Sequence, residues 1–168
     1  MRHIVDTTLR VIIIVIFSVL VACVTWQVAS RYLFGVPSTL TDEIARFLFM
    51  WLALIGGAYT LGLRRHLAID LLTMNLKGRA KLISEAVILA AITVFAAVVM
   101  LWGGASLVTK TFASGQVTPA LQMPMGWVYA AIPFSGLVML YYCGVFALEL
   151  ARGEVKATSP AAVAGPLD

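Results

Sequence analysis

The side chains that could do acid–base, redox or metal chemistry are few, and their placement is selective. Two histidines (His3, His66), two cysteines (Cys23, Cys143) and eight acidic residues are the whole stock of imidazoles, thiols and carboxylates. No group of them has the spacing of a metal site. No glycine loop for a nucleotide phosphate and no nucleophile–base pair stands out. Haem ligation would need histidines facing each other across helices, but His3 and His66 both lie at the edges of apolar runs. A proton-coupled carrier would need a carboxylate at mid-membrane depth, because an ionisable group held there marks an ion or solute path. No Asp, Glu, Lys, Arg or His interrupts the four uncharged runs described next. Both cysteines fall within such runs, as packed thiols rather than a disulfide framework.

Those runs define the architecture. The hydrophobic set makes up 61% of the 168 residues, charged residues only 12%, and the net charge is +4. Mean hydropathy is +0.97. Too few charged groups remain to cover a water-soluble globule, which excludes a disordered chain, a disulfide-stapled secreted domain and a nucleic-acid binder. Crossing a bilayer takes roughly 20 apolar residues of helix, since no backbone N–H or C=O can go unpaired in hydrocarbon. Uncharged stretches at 11–30, 47–63 and 86–109 meet that length, and 111–148 divides at Pro124 into a polar portion and a span over 125–148. The first run exceeds the core of a secretory signal and Arg31 follows directly, so it is read as a retained span. The fold class expected is an all-α integral membrane protein: one domain over 1–150 with four transmembrane helices, then a disordered cytoplasmic tail over 151–168.

Counting basic residues loop by loop sets an orientation. Arg2, Arg10, Arg64, Arg65, Lys77, Arg79, Lys81, Arg152 and Lys156 fall on one side, and only Arg31, Arg46 and Lys110 on the other. The positive-inside rule then puts both termini in the cytoplasm. With strict alternation, Trp26, Trp51, Trp102 and Trp127 all fall toward the outer interface, where indoles prefer to sit.

The connecting segments carry the remaining signals. In the first outer loop, Gly35 and Pro37 end the first helix, and Thr39 with Asp42 resembles a capping box starting the second near Leu40. Asp42 and Glu43 sit at the positive end of that helix, and Arg46 lies within reach of both. Arg31, Asp42, Glu43 and Arg46 are thus either a solvated helix start or a cluster that fixes two helices or docks a partner. Between helices 2 and 3, Leu67, Leu71, Met74 and Leu72, Leu76 recur at helical spacing, predicting a short interfacial amphipathic helix over about 67–76. Arg64, Arg65, Lys77, Arg79 and Lys81 flank it as contacts for lipid phosphates. Pro124 suits the first turn of helix 4, and Pro133 inside that helix predicts a kink. Ala53/Gly57 and Ala58/Gly62 place small residues four apart on helix 2, a pattern that permits close packing.

Taken together, Arg31-Tyr32, Thr41-Asp42-Glu43-Ile44-Ala45-Arg46, Trp51, Gly56-Gly57-Ala58 and Arg64-Arg65-His66-Leu67-Ala68-Ile69-Asp70 resemble the small permease subunit of tripartite ATP-independent periplasmic (TRAP) transporters, the DctQ-like family. A second block matches in register: Thr118-Pro119-Ala120-Leu121, Pro124-Met125, Trp127, Tyr129 and Ile132-Pro133. The resemblance covers roughly residues 5–150, with Leu40 where the family often carries Trp and Asp42 in the first acidic position. It implies a non-enzymatic scaffold subunit of the bacterial inner membrane, with no cofactor of its own. The implied partners are a large permease subunit, which carries the sodium coupling, and a periplasmic binding protein that captures a small organic anion such as a C4-dicarboxylate or sialic acid. It also implies that Arg31, Asp42, Glu43, Arg46, Trp51, His66, Asp70, Pro119, Pro124, Trp127, Tyr129 and Pro133 serve structure or a partner interface. From the residues alone, a membrane anchor for a redox or other enzyme complex and a small self-assembling exporter remain open. The amphipathic reading makes one prediction. Replacing Leu71 and Met74 with Asp should expose the segment to protease in sealed inverted vesicles, whereas unchanged protection would exclude an interfacial helix.

Overall fold

The computed structural model describes residues 2–36, 38–63 and 79–151. The expected interfacial helix therefore lies outside the described residues, as do Arg64, Arg65, His66, Asp70, Lys77 and the tail. Arg79 and Lys81 fall within a helix, with their side chains outside what is described. The described residues are all-helical apart from connecting turns, and four of the helices are long and apolar enough to cross a membrane.

Helix α1 (Arg2–Leu33) has 32 residues and α2 (Thr39–Gly62) has 24. At about 1.5 Å per residue, α1 is longer than a hydrocarbon core of about 30 Å requires, so its charged ends project beyond the apolar stretch. The third long helix starts as α3 (Arg79–Val94), widens into a π-helical segment (Phe95–Gly103) and finishes as α4 (Gly104–Ala113). The sequence signals did not announce this widening, because a π segment keeps the same uninterrupted apolar composition. The last crossing is divided into a short α5 (Gly126–Tyr129) and α6 (Ala131–Ala151). The division at Ala130 lies just after Tyr129, whose carbonyl would have accepted from residue 133. Pro133 has no N–H to donate and its ring crowds that position.

These helices form an open row rather than a closed bundle. Helix α1 packs on α2, α2 packs on α6, and α6 packs on the π segment and α3, so the third helix lies beyond the fourth. The two outer members of the row bury little of their surface and present Val11, Ile14, Val15, Phe17, Val94, Phe95 and Val98 outward, as lipid-facing residues should.

The contacts of α6 with α2 and with the third helix are made where a glycine lets a neighbour approach closely. The Tyr142 ring lies directly over Gly62, where any Cβ would overlap the ring carbons. Tyr142 is fully buried among Leu9, Ile55 and Phe146, and its hydroxyl donates to Asp6 Oδ1 at 2.5 Å. One side chain of α6 thereby passes the end of α2 and reaches α1, a helix that the described backbone of α6 does not approach. Gly136 faces the π segment, where a Cβ would stand 2.9 Å from Met100 Cβ and 3.3 Å from the Leu101 nitrogen. Gly104 meets Ile132 and Pro133 in the same way. Of the two small-residue pairs in α2, Ala58 and Gly62 are buried at this packing, while a Cβ at Gly57 would meet nothing within 4 Å. The 53/57 pair is not a contact among the described residues.

This pattern predicts a sharp difference between glycines. Gly136→Ala should lower the stability of the detergent-solubilised protein by roughly 1–3 kcal/mol through overpacking against backbone, whereas Gly57→Ala should not destabilise it. Graded unfolding followed by circular dichroism measures both.

Candidate functional site

The charged residues at the α1–α2 connector meet the 114–125 segment at one end of the row. Helix α1 ends with Ser30 donating to the Val36 carbonyl and Gly35 at φ +69°, a left-handed turn that glycine accommodates readily. Helix α2 then begins at Thr39 with Ser38 as its N-cap residue. Thr39 and Asp42 do not form the expected capping box. The Ser38 side chain makes no capping bond, and Asp42 uses its carboxylate elsewhere.

Asp42 and Glu43 are successive helical residues, so their side chains leave the axis about 100° apart. They serve opposite neighbours. Asp42 accepts from Gln27 Nε2 of α1 at 2.8 Å and from the Arg46 guanidinium, one turn along its own helix. Both donors favour an ionised carboxylate. Glu43 points the other way and is buried; its Oε2 accepts the backbone N–H groups of Ala120 at 2.9 Å and Leu121 at 2.8 Å. Among the described residues, Arg46 therefore pairs with Asp42 and not with Glu43. The reason is geometric: Glu43 is already turned into the 118–123 turn. Arg31 is exposed and forms no ion pair among the described residues, although its charge lies near enough to act on Asp42.

The segment that Glu43 holds is folded in its own right. Gly115, at φ +65°, terminates α4. Val117 and Pro124 form an antiparallel bridge, and Met125 N–H donates to the Gln116 carbonyl at 2.9 Å. Inside that bridge Thr118 is fully buried. Its N–H donates to the Met123 carbonyl at 2.9 Å, and its Oγ1 accepts the Met123 N–H at 3.1 Å. Gln122 takes φ +53° and its side-chain amide donates to the Pro119 carbonyl at 3.0 Å. Pro124 thus closes a hairpin-like turn just before the helix instead of occupying the helix's first turn, because Met125 is the N-cap residue.

Aromatic contacts complete this end. Trp127 is exposed and meets Phe112 edge-on, centroids 6.0 Å apart, with Gly126 leaving room for the Phe112 ring. Trp51 packs on Phe134 at 6.0 Å, joining α2 to α6. Tyr129 is half-buried in α5. Among the described residues no three of His, Cys, Asp and Glu come together as metal ligands. Within the spans, Ser18, Thr60, Thr93 and Ser135 each donate to a carbonyl three or four residues earlier. Each of these bonds lies within the residue's own helix. Asp42 thus joins Gln27 and Arg46 on one side, Glu43 joins the turn that follows Pro119 on the other, and Trp51, Trp127 and Pro133 pack between helices nearby. Gln27, whose partner lies 15 residues along the chain, carries no signal in the sequence, and Thr118 stands there only within the second motif block, since its bonds depend on turn geometry.

Residues 20–153 match the family model for the DctQ component of tripartite ATP-independent periplasmic transporters. The chain belongs to this family. It is 32% identical over 82 residues to the sialic acid TRAP transporter small permease protein SiaQ of Vibrio cholerae, covering 49% of this chain and 47% of that protein. It is 29% identical over 122 residues to the C4-dicarboxylate TRAP transporter small permease protein DctQ of Rhodobacter capsulatus, covering 72% and 53%. It is also 29% identical over 119 residues to the isethionate TRAP transporter permease protein DctMQ of Oleidesulfovibrio alaskensis, covering 67% of this chain and 18% of that protein. The matched stretch thus spans about half the length of the first two relatives. These relatives are named as transporter permease components, not enzymes, and this DctQ-family chain is a multi-pass membrane protein.

The geometry separates two kinds of polar contact by burial. Arg46→Ala removes an exposed pair and should shift the thermal midpoint only slightly, an effect that about 1 M salt erases. Thr118→Val removes a buried acceptor and should cost about 1 kcal/mol or more, measured by the same unfolding assay.

Proposed function

We propose that this chain is the small scaffold subunit of a TRAP transporter, packing beside a large permease subunit in the bacterial inner membrane and receiving no solute itself. Membership of the DctQ family over residues 20–153 carries the reading. The uncharged middles of all four spans support it, because a subunit that moves no ion needs nothing to titrate there. The open row supports it too, since a row one helix thick encloses no pathway of its own.

In this reading the termini face the cytoplasm and the Asp42–Glu43 end faces the periplasm, following the basic-residue bias. A periplasmic binding protein delivers a small carboxylate, and the large subunit couples its entry to sodium. The names of the relatives support a small organic anion as the solute class, with sialic acid and C4-dicarboxylate favouring a carboxylate and isethionate being a sulfonate. The relative of which this chain covers only 18% supports a larger permease partner, its name joining M and Q. No cofactor is assigned to this chain, and the lipid-phosphate role of Arg64, Arg65, Lys77, Arg79 and Lys81 belongs to the same proposal.

Co-expression with a candidate large subunit tests it. The two should copurify, and sodium-driven uptake in proteoliposomes should require both together with the binding protein. Uptake by this chain alone would refute the scaffold role.

A further inference from the structure

Two helix irregularities touch each other in this row. The π segment (Phe95–Gly103) ends where Gly104 meets Ile132 and Pro133. Gly136 lies against the segment itself, and a Cβ there would come within 3.4 Å of the Ala96 carbonyl oxygen. The neighbouring crossing is divided at Ala130. Its backbone bonds there run from the Ala130 N–H to the Gly126 carbonyl at 3.0 Å and from the Phe134 N–H to the Ala130 carbonyl at 3.2 Å. Pro133, between them, has no N–H to give. Prolines and π segments are among the few features at which helices bend sharply. A bend in one helix is blocked when an unbroken neighbour packs on it, whereas two bends in contact let both helices give together.

What lies beyond these two joints holds together by its own contacts. Helices α4 and α5 pack on each other, with Gly126 under the Phe112 ring and Trp127 against its edge. The segment between them is closed by the bridge at 117/124, by the Met125–Gln116 bond and by buried Thr118. This unit is tied to α2 by α5 lying alongside and by the buried Glu43 carboxylate, which accepts from Ala120 and Leu121. Charge-assisted bonds of that kind are the stronger class. We propose that α4, the 114–125 segment and α5 form a rigid cap that turns as one body on the π segment and the 130–133 break, with Glu43 as the latch that holds it on α2. The inference goes beyond the proposed function, does not rest on it and needs no partner.

Spin-label distances in the full chain, held in lipid nanodiscs with Cys23 and Cys143 replaced by Ala, test it. Labels at exposed Val15 and Ala113 span from α1 to the cap, and labels at exposed Val15 and Val87 span from α1 to α3 without crossing the joints. With Glu43 intact both distance distributions should be narrow. Glu43→Ala should widen the 15–113 distribution about twofold or more and leave 15–87 as it was. Glu43→Asp, one methylene shorter, should widen it likewise, while Glu43→Gln keeps an acceptor oxygen in place and should restore most of the narrow form. Pro133→Ala, added to Glu43→Ala, returns a donor for the Tyr129 carbonyl and should narrow the spread again. Amide exchange gives a second readout. In Glu43→Ala it should quicken about tenfold or more at Ala120 and Leu121, while the Thr118 and Met125 amides, bonded within the cap, keep their protection. An unchanged 15–113 distribution overturns the latch. Lost protection at Thr118 and Met125 overturns the rigid cap, and equal widening of both label pairs or a spread indifferent to Pro133→Ala overturns the joints.

Discussion

Hydrocarbon gives two apolar helices almost no reason to prefer each other over lipid, so helix order in a membrane depends on close approach and on polar groups that need partners. In this chain both devices occur at the same few places. Gly62, Gly104, Gly126 and Gly136 each leave room for a large neighbour, and Tyr142, Gln27 and Glu43 supply bonds that cross between elements. Without these approaches and bonds, the row α1, α2, α6, α3 would have only lipid-like surfaces to hold it together.

The two ends of the row are locked by different chemistry. At the end carrying the termini, a buried tyrosine passes over Gly62 and bonds Asp6, joining three helices through one side chain. At the connector end, adjacent acids on one helix turn reach opposite neighbours, one a side chain of α1 and the other the backbone of a folded turn. Between them the π segment and the division at Ala130 let the third and last helices meet at Gly136 and Gly104. A layer pinned at both ends, with no Asp, Glu, Lys, Arg or His in the middle of its spans, fits the scaffold role proposed above.

The charged cluster illustrates why contact lists and energetics diverge. Arg46 and Asp42 make the conspicuous ion pair, yet it is exposed and on one helix, so it adds little to how helices are arranged. Glu43 has no ion pair with Arg46, yet its two bonds bridge distant parts of the chain from a buried position. Burial and sequence separation, not formal charge, decide which acid organises this end.

Much of the architecture was legible from residue types. Four uncharged runs long enough to cross a bilayer and the break expected at Pro133 follow from the chain's composition and local chemistry, because the bilayer's demand for paired backbone groups acts on each segment separately; the grouping of Asp42, Glu43 and Pro119 came from resemblance to the family's motifs. What residue types could not supply was partnership. Arg46 at helical spacing from both acids gave no sign that Glu43 would turn to Ala120 and Leu121, and equal small-residue pairs at 53/57 and 58/62 gave no sign that only the second would be buried. An unbroken apolar run hides a π segment as readily as an α-helix. Those outcomes were decided by tertiary structure, since a hydrogen bond or a close approach between residues far apart in sequence depends on where the whole row puts them.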